Sequence, residues 1–126
     1  MSSTQQSIIK YYLRAYNRFA VDEMLRDIHP DIVFRHLAKG KETLRIEGIE
    51  ALREQAKKVI PLFRARRQKL RAIHFMGNQV EADIDYMIEM ATDLPNGPKA
   101  GQRVIARGKT TFQFEGELII GITDET

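Results

Sequence analysis

An imidazole and two phenols are the groups in this sequence best suited to do chemistry. The segment Asp31-Ile-Val-Phe-Arg-His36 has the β-branched and aromatic content of a short strand and delivers one titratable ring at its end, His36. Tyr12 and Tyr16 stand four residues apart and share one face of a helix. An imidazole, with an ordinary pKa of about 6.5, moves protons efficiently near neutrality, and a phenol stabilises negative charge that develops on oxygen. Gathered in one pocket, these groups would act on a carbonyl compound. The same residues also suit a purely structural arrangement, with His36 hydrogen-bonded at a strand end and both tyrosines packed as amphipathic core.

Other polar groupings are weaker. Asp83 and Asp85 resemble a paired-carboxylate site, but alternation puts both on the face opposite Val80, Ala82, Ile84 and Tyr86. They read as one rail of a charge ladder whose other rail is Arg103, Arg107 and Lys109, holding the sheet together or lining a dimer interface. The run from Arg64 to Arg71 carries five cations in eight residues, which could contact phosphates. It contains no aromatic residue for base stacking and faces an acidic strand, so no nucleic-acid partner is expected. Registered on a two-residue turn at Gly77-Asn78, Lys69 and Arg71 share the face of Ile73, at the mouth of a pocket where they would steer an anion; a bulge reverses that placement. His29, His36 and His74 are scattered without ligand spacing, so no metal site is expected. No phosphate loop, dinucleotide fingerprint or nucleophile elbow is present, and a site without cofactors remains.

The elements that must position these groups follow from periodicity. Ser2 or Ser3, three residues before Gln5 or Gln6, offers a capping box for a first helix with Ile8, Ile9, Tyr12, Leu13 and Tyr16 on one face. Val21, Met24, Leu25 and Ile28 repeat at helical spacing, and His29-Pro30-Asp31 stops that second helix. A strand with Ile32, Val33 and Phe34 follows, then a charged connection from Ala38 to Arg45 and a third helix carrying Ile49, Leu52, Ala56, Val59 and Ile60, closed by Pro61. From Phe63 onward the pattern is all strand. Val80 to Met90 alternates inward and outward, and a polar loop from Thr92 to Gly101 leads to a strand with Val104, Ala106, Gly108, Thr110, Phe112 and Phe114 on its inner face. Glu115-Gly116 turns into a last strand over Leu118 to Ile122. Tyr16, Phe34, Phe63, Tyr86, Met90 and Phe112 are expected as pocket wall, although a filled core would use the same residues.

With 126 residues and a net charge of +3, the chain is sized for one globular domain, residues 1–126, with no strong electrostatic pull toward nucleic acid. Its apolar runs are too short for a membrane span, and its first residues lack the regions of a secretory signal, so a cytoplasmic location and no membrane partner are expected. Cysteine is absent, which removes disulfides, thiolate nucleophiles and cysteine metal sites together.

In order along the chain, Tyr12-Leu-Arg-Ala-Tyr-Asn17, His29-Pro-Asp-Ile-Val-Phe34, Gly48-Ile-Glu-Ala-Leu52, Gly77-Asn-Gln-Val80, Gly101-Gln-Arg-Val104 and Phe112-Gln-Phe-Glu-Gly116 resemble the nuclear transport factor 2-like superfamily, in its SnoaL-like and ketosteroid isomerase-like branch. The resemblance implies an α+β roll of cystatin type: a cone-shaped curved antiparallel sheet of about four long strands plus a short one, packed against three N-terminal helices. It also implies a homodimer through the outer sheet face. Counting from Tyr12 at the isomerases' oxyanion-hole tyrosine, His36 falls where those enzymes carry their basic aspartate, and Thr110 falls on their second oxyanion donor. The steroid-isomerase constellation is therefore not preserved. The implied function is binding of a small apolar ligand, with His36 as proton carrier and Tyr12 and Thr110 as oxyanion donors in an isomerase, cyclase or dehydratase acting on an apolar carbonyl or polyketide-like compound. A ligand-binding or dimerising scaffold without chemistry is the alternative.

Overall fold

The structure, a computed structural model, describes residues 2–126, with the Ser2 side chain outside the described atoms. Helix α1 (Ser2–Asn17) is followed by one short turn of helix, α2 (Val21–Met24), and then by strands β1 (Ile28–Ala38) and β2 (Lys41–Glu47). Helix α3 (Ile49–Val59) runs through a 3-10 turn at Ile60–Leu62 into β3 (Phe63–Met76), β4 (Gln79–Met90), β5 (Arg103–Glu115) and β6 (Leu118–Glu125). The strands make one curved, open sheet in the order β2-β1-β6-β5-β4-β3. Strands β3 to β6 form an antiparallel meander, whereas β1 lies parallel to β6. The α+β roll expected from sequence is present with six strands in place of four and a short one, and with one parallel pairing.

The extra strand is β2, where the sequence reads as a charged connection. Lys41 to Glu47 is almost entirely exposed, so it carries no apolar alternation to reveal it. Its hairpin with β1 is closed by Lys39 and Gly40, both at positive φ (52° and 80°), the backbone twist that two-residue hairpins favour. The second helix is shorter than its periodicity suggests. Val21, Met24, Leu25 and Ile28 are all buried as the pattern requires, but Ile28 already belongs to β1, because the Ile119 amide captures the Asp27 carbonyl at 2.8 Å and pulls the chain onto β6. The Gln5 side-chain amide donates to the Gly77 carbonyl at 2.9 Å and ties α1 to the β3–β4 turn; the capping box expected with Ser2 lies outside the described residues.

Two bulges set which residues face the helices. The β3–β4 register runs from Met76 opposite Gln79 to Ala72 opposite Asp83, then shifts so that Leu70 opposes Ile84. Arg71 is the extra residue. Lys69 and Arg71 therefore face outward, and the mouth position open to them without a bulge is not theirs: Arg71 pairs with Asp85 at 2.8 Å on the outer face. Arg66 and Gln68 turn inward in their place, both buried. The outer face carries the expected ladder, with Arg103 on Glu89 at 3.2 Å and Arg107 on Asp85 at 3.6 Å. Exposed pairs of this kind contribute at most about 1 kcal/mol each.

The inner face packs on α1 through Ile9, Leu13, Val80, Ala82, Ile84, Phe112 and Ile122. Tyr12 meets Phe112 edge to face, ring centroids 5.8 Å apart, a favoured aromatic geometry. On β5 the small residues Ala106 and Gly108 leave the sheet hollow. A Cβ at Gly108 would stand 2.7 Å from both the Tyr86 ring and the Glu125 carbonyl oxygen, so glycine is what lets Tyr86 lie flat against β5. Gly108→Ala is expected to lower stability by about 1–3 kcal/mol, measured by urea unfolding, and to quench any ligand response that depends on the Tyr86 ring.

Candidate functional site

Between the helices and the hollow of the sheet lies a cavity of about 420 Å³. Its walls are mostly apolar, supplied by residues such as Phe34, Leu44, Leu52, Phe63, Ile88 and Val104. Into this apolar enclosure project Tyr12, Tyr16, His36, Arg66, Gln68, Tyr86 and Asp124. Pockets of this size, apolar with a few convergent polar groups, are the usual form of small-molecule sites.

Of the residues anticipated from sequence, Tyr12, Tyr16, Phe34, His36, Phe63 and Tyr86 line the cavity. Met90 and Phe112 do not: both are closed into the core, Phe112 beneath Tyr12. Thr110, only 1% exposed, lies behind the wall and reaches the cavity through another residue. That residue is Asp124, which sequence reasoning passed over. Strand β6 runs between β1 and β5, with Asp124 opposite His36 on one side and Thr110 on the other. The three side chains form one row across the sheet.

The hydrogen bonds around Asp124 have a fixed direction. The Thr110 hydroxyl donates to Asp124 Oδ1 at 2.7 Å. That commits its only proton, so Tyr86, at 3.1 Å from the same oxygen, donates to Thr110. Asp124 Oδ2 receives no protein donor among the described residues, on a side chain that lines the cavity. Burial in this apolar setting pushes the Asp124 carboxyl up to about 6, against the Thr110 hydrogen bond and the charge of His36, which both pull it down. The residue keeps some accessible surface, and its side chain lines the mostly apolar cavity, where desolvation disfavours the charged form.

His36 is held by two threonines near the opening. The Thr43 hydroxyl lies 2.6 Å from Nδ1 and donates to the His36 carbonyl oxygen at 3.3 Å. Nδ1 is therefore the donor in that pair, and Nε2 lies 3.2 Å from the Thr126 hydroxyl, accepting from it when the ring is neutral and donating to it when the ring is charged. The tyrosines stay neutral: burial raises Tyr12 well above the usual phenol range, with Asp124 adding to the effect, and burial raises Tyr16 against the pull of Arg66. The Tyr12 hydroxyl has no hydrogen-bond partner among the described residues. It is a neutral donor left free to meet a ligand oxygen. No group of three or more histidine or acidic side chains with metal-binding geometry occurs among the described residues.

The family model of the SnoaL-like domain matches residues 9–122. The chain belongs to that family. Solved structures share its fold. This SnoaL-like chain superposes on a candidate polyketide cyclase from Xanthomonas campestris with a TM-score of 0.77 at 22% identity, over 98% of this chain and 90% of that one. An NTF2-like protein of unknown function from Burkholderia pseudomallei gives a TM-score of 0.78 at 15% identity, over 98% and 90% of the two chains. An LEH-like epoxide hydrolase from M. tuberculosis gives 0.77 at 16%, over 98% and 82%. No curated protein matches the chain. At these identities the likeness is one of fold, and the SnoaL-like cavity must be read from its own residues.

The raised carboxyl has a consequence for stability. A carboxyl whose folded value, about 6, lies above its ordinary value, 3.8, binds protons more tightly in the folded state between those limits. Folding stability then falls as pH rises through that window. Asp124→Asn keeps an acceptor for Thr110 and removes the charge. It is expected to unfold several degrees higher than the parent at pH 8, a gain of the order of 2–3 kcal/mol, and the difference should close toward pH 4. Thermal melts of both proteins across this range measure it directly.

Proposed function

We propose that this SnoaL-like chain binds a small, largely apolar carbonyl compound in the cavity and moves a proton at the carbon next to the carbonyl, as an isomerase, cyclase or dehydratase does. The observation that carries this reading is Asp124, a carboxyl raised to about 6 that lines an apolar pocket together with an imidazole and the unpartnered Tyr12 phenol. A base with its pKa near the working pH combines a useful ionised fraction with real basicity. In this reading Asp124 Oδ2 takes the proton. His36, on the neighbouring strand and nearer the opening, passes it to water, and Tyr12 donates to the enolate oxygen as charge collects there. Thr110 holds the carboxyl in place from behind the wall, and Tyr86 backs Thr110 while its ring lines the cavity. The reaction class needs no metal or organic cofactor. A polyketide-like substrate is in keeping with the apolar walls and with the candidate cyclase among the structural neighbours.

A second reading, assembly through the outer sheet face, is favoured by Ile105, which is 77% exposed beside its cross-strand partner Met87. A large apolar side chain at the centre of a charged ladder suits a self-complementary contact. Under it, Ile105→Glu shifts the sedimentation of the protein from dimer to monomer and leaves the cavity untouched; identical sedimentation of both proteins removes the idea.

The catalytic reading is tested by solvent deuterium exchange into the methyl group of 2-acetylnaphthalene, followed by NMR. The wild-type rate is expected to rise with pH through about 6 and then level, because the ionised carboxyl is the active form. Asp124→Asn is expected to lose about 10²- to 10⁴-fold, with smaller losses for His36→Ala and Tyr12→Phe, all in proteins that still unfold cooperatively. Exchange that proceeds unchanged in Asp124→Asn would leave ligand binding without chemistry as the function.

A further inference from the structure

Arg66 enters the cup through the β3 bulge, and no group in the described chain neutralises it. The residue is 5% exposed. Its Nε donates to the Tyr16 carbonyl oxygen at 2.9 Å, and its guanidinium lies over the Tyr16 ring at 3.8 Å and the Phe19 ring at 4.5 Å. These contacts fix the plane of the group without answering its charge. Among the described residues no carboxylate forms an ion pair with it, and no carbonyl or carboxylate meets Nη1 or Nη2, the neutral Tyr16 hydroxyl being the side chain near enough to lend the group a hydrogen bond. Its neighbours on β3 differ: Arg64 and Arg71 are exposed and paired with Glu89 and Asp85, while Arg67 and Lys69 are exposed to water.

A buried cation without a counter-charge is costly to hold, and desolvation pulls the Arg66 guanidinium down from its usual range. Asp124 does not serve as its partner. The causes that move Asp124 are burial, Thr110 and His36, whereas Tyr12 and Tyr16 respond to both Asp124 and Arg66. The cavity thus holds a cation and an acid–base group that form no ion pair with each other, along with two phenols that sense both. Beside Arg66 on the same face, the Gln68 backbone is pinned by the Asn17 side chain, which accepts from the Gln68 main-chain N–H at 2.7 Å and donates to its main-chain carbonyl at 3.2 Å. A planar guanidinium with its Nη edge free of any counter-charge is shaped for two parallel bonds to a carboxylate.

We propose that the ligand of this cavity carries a carboxylate bound at the free edge of Arg66 with Gln68 beside it, so that the substrate is a keto acid whose carbonyl faces Tyr12 and Asp124. The carboxylate half stands on Arg66 alone; the carbonyl half rests on the proton-transfer reading above.

The probes are 6-acetyl-2-naphthoate and its methyl ester, titrated calorimetrically into the whole chain at pH 7.5. The acid is expected to bind wild type at least 10-fold more tightly than the ester. In Arg66→Met that preference should vanish, through loss of acid affinity with the ester unchanged. Equal binding of acid and ester by wild type, no binding of the acid, or an acid preference that survives in Arg66→Met each overturns the proposal; survival would place the anion on the exposed cations of β3. If Arg66→Met does not unfold cooperatively, Arg66→Lys, which keeps the charge and loses the paired edge, takes its place: a preference below threefold supports the proposal and an unchanged one overturns it. Deuterium exchange in Asp124→Asn separates the two readings. Exchange that persists there, with the acid preference intact in wild type, sinks proton transfer and leaves the carboxylate site standing. Exchange lost there, with acid and ester bound alike, does the reverse.

Discussion

The site depends on the double pairing of β6. Because that strand is bonded to β1 on one edge and β5 on the other, His36, Asp124 and Thr110 fall in one row, and none of them would meet without it. Side chains alternate along a strand with a period of two, so a slip of one residue would turn Asp124 out to solvent and bring Thr123 or Glu125 into its place. The backbone bonds of two neighbouring strands hold the register, and the burial of Ile119 and Ile122 on either side of the turn inward reinforces it. The polar chemistry of the cavity therefore rests on apolar packing a few residues away.

Within that frame, the cavity works by withholding water. A carboxyl on the outer ladder, such as Asp85, sits among exposed cations, whereas Asp124 has one hydroxyl donor and apolar walls. The same lack of solvent keeps Tyr12 and Tyr16 protonated and leaves Arg66 charged but poorly compensated. Each of these groups is held in a state that water would relax, and three of them are anchored from behind the cavity wall: Asp124 by Thr110, Tyr12 by Phe112 and Arg66 by the Tyr16 backbone carbonyl. Such backing orients polar groups before a ligand arrives and reduces the reorganisation that binding requires.

Much of the scaffold was legible in the chain. The Gly77-Asn78 hairpin, the alternation of β4, the inward face of β5 and the outer charge ladder all follow from local rules that tertiary structure does not override. Tyr12, Tyr16, His36 and Tyr86 were legible as cavity residues for the same reason. The two cavity residues that escaped, Asp124 and Arg66, share one physical cause. Counting β6 back from the pair Glu115 and Leu118 sets Thr123 opposite Thr110; only the irregularity between Gln113 and Phe114, which leaves Ile120 unpaired, brings Asp124 there. Arg66 is hidden likewise by the extra residue at Arg71. A bulge leaves little trace in residue type, so parity is lost at each one. Strand β2 escaped for a different reason, since an exposed edge rich in charge has no apolar rhythm, and charge is how such edges resist pairing with other chains.

The bulge at Arg71 also bears on how a cup of this kind changes over generations. Loss of the bulge with every residue kept, so that Arg71 pairs with Ile84, would exchange the inner and outer sets along the far half of β3, trading Arg66 and Gln68 for Arg67 and Lys69 in a single event. Point substitution would need several coordinated steps to reach the same lining. An edge strand tolerates such a shift because only one neighbour has to accommodate it. The wall of the cavity can thus be rewritten at its rim while the row of side chains on β1, β6 and β5, locked on both sides, stays as it is.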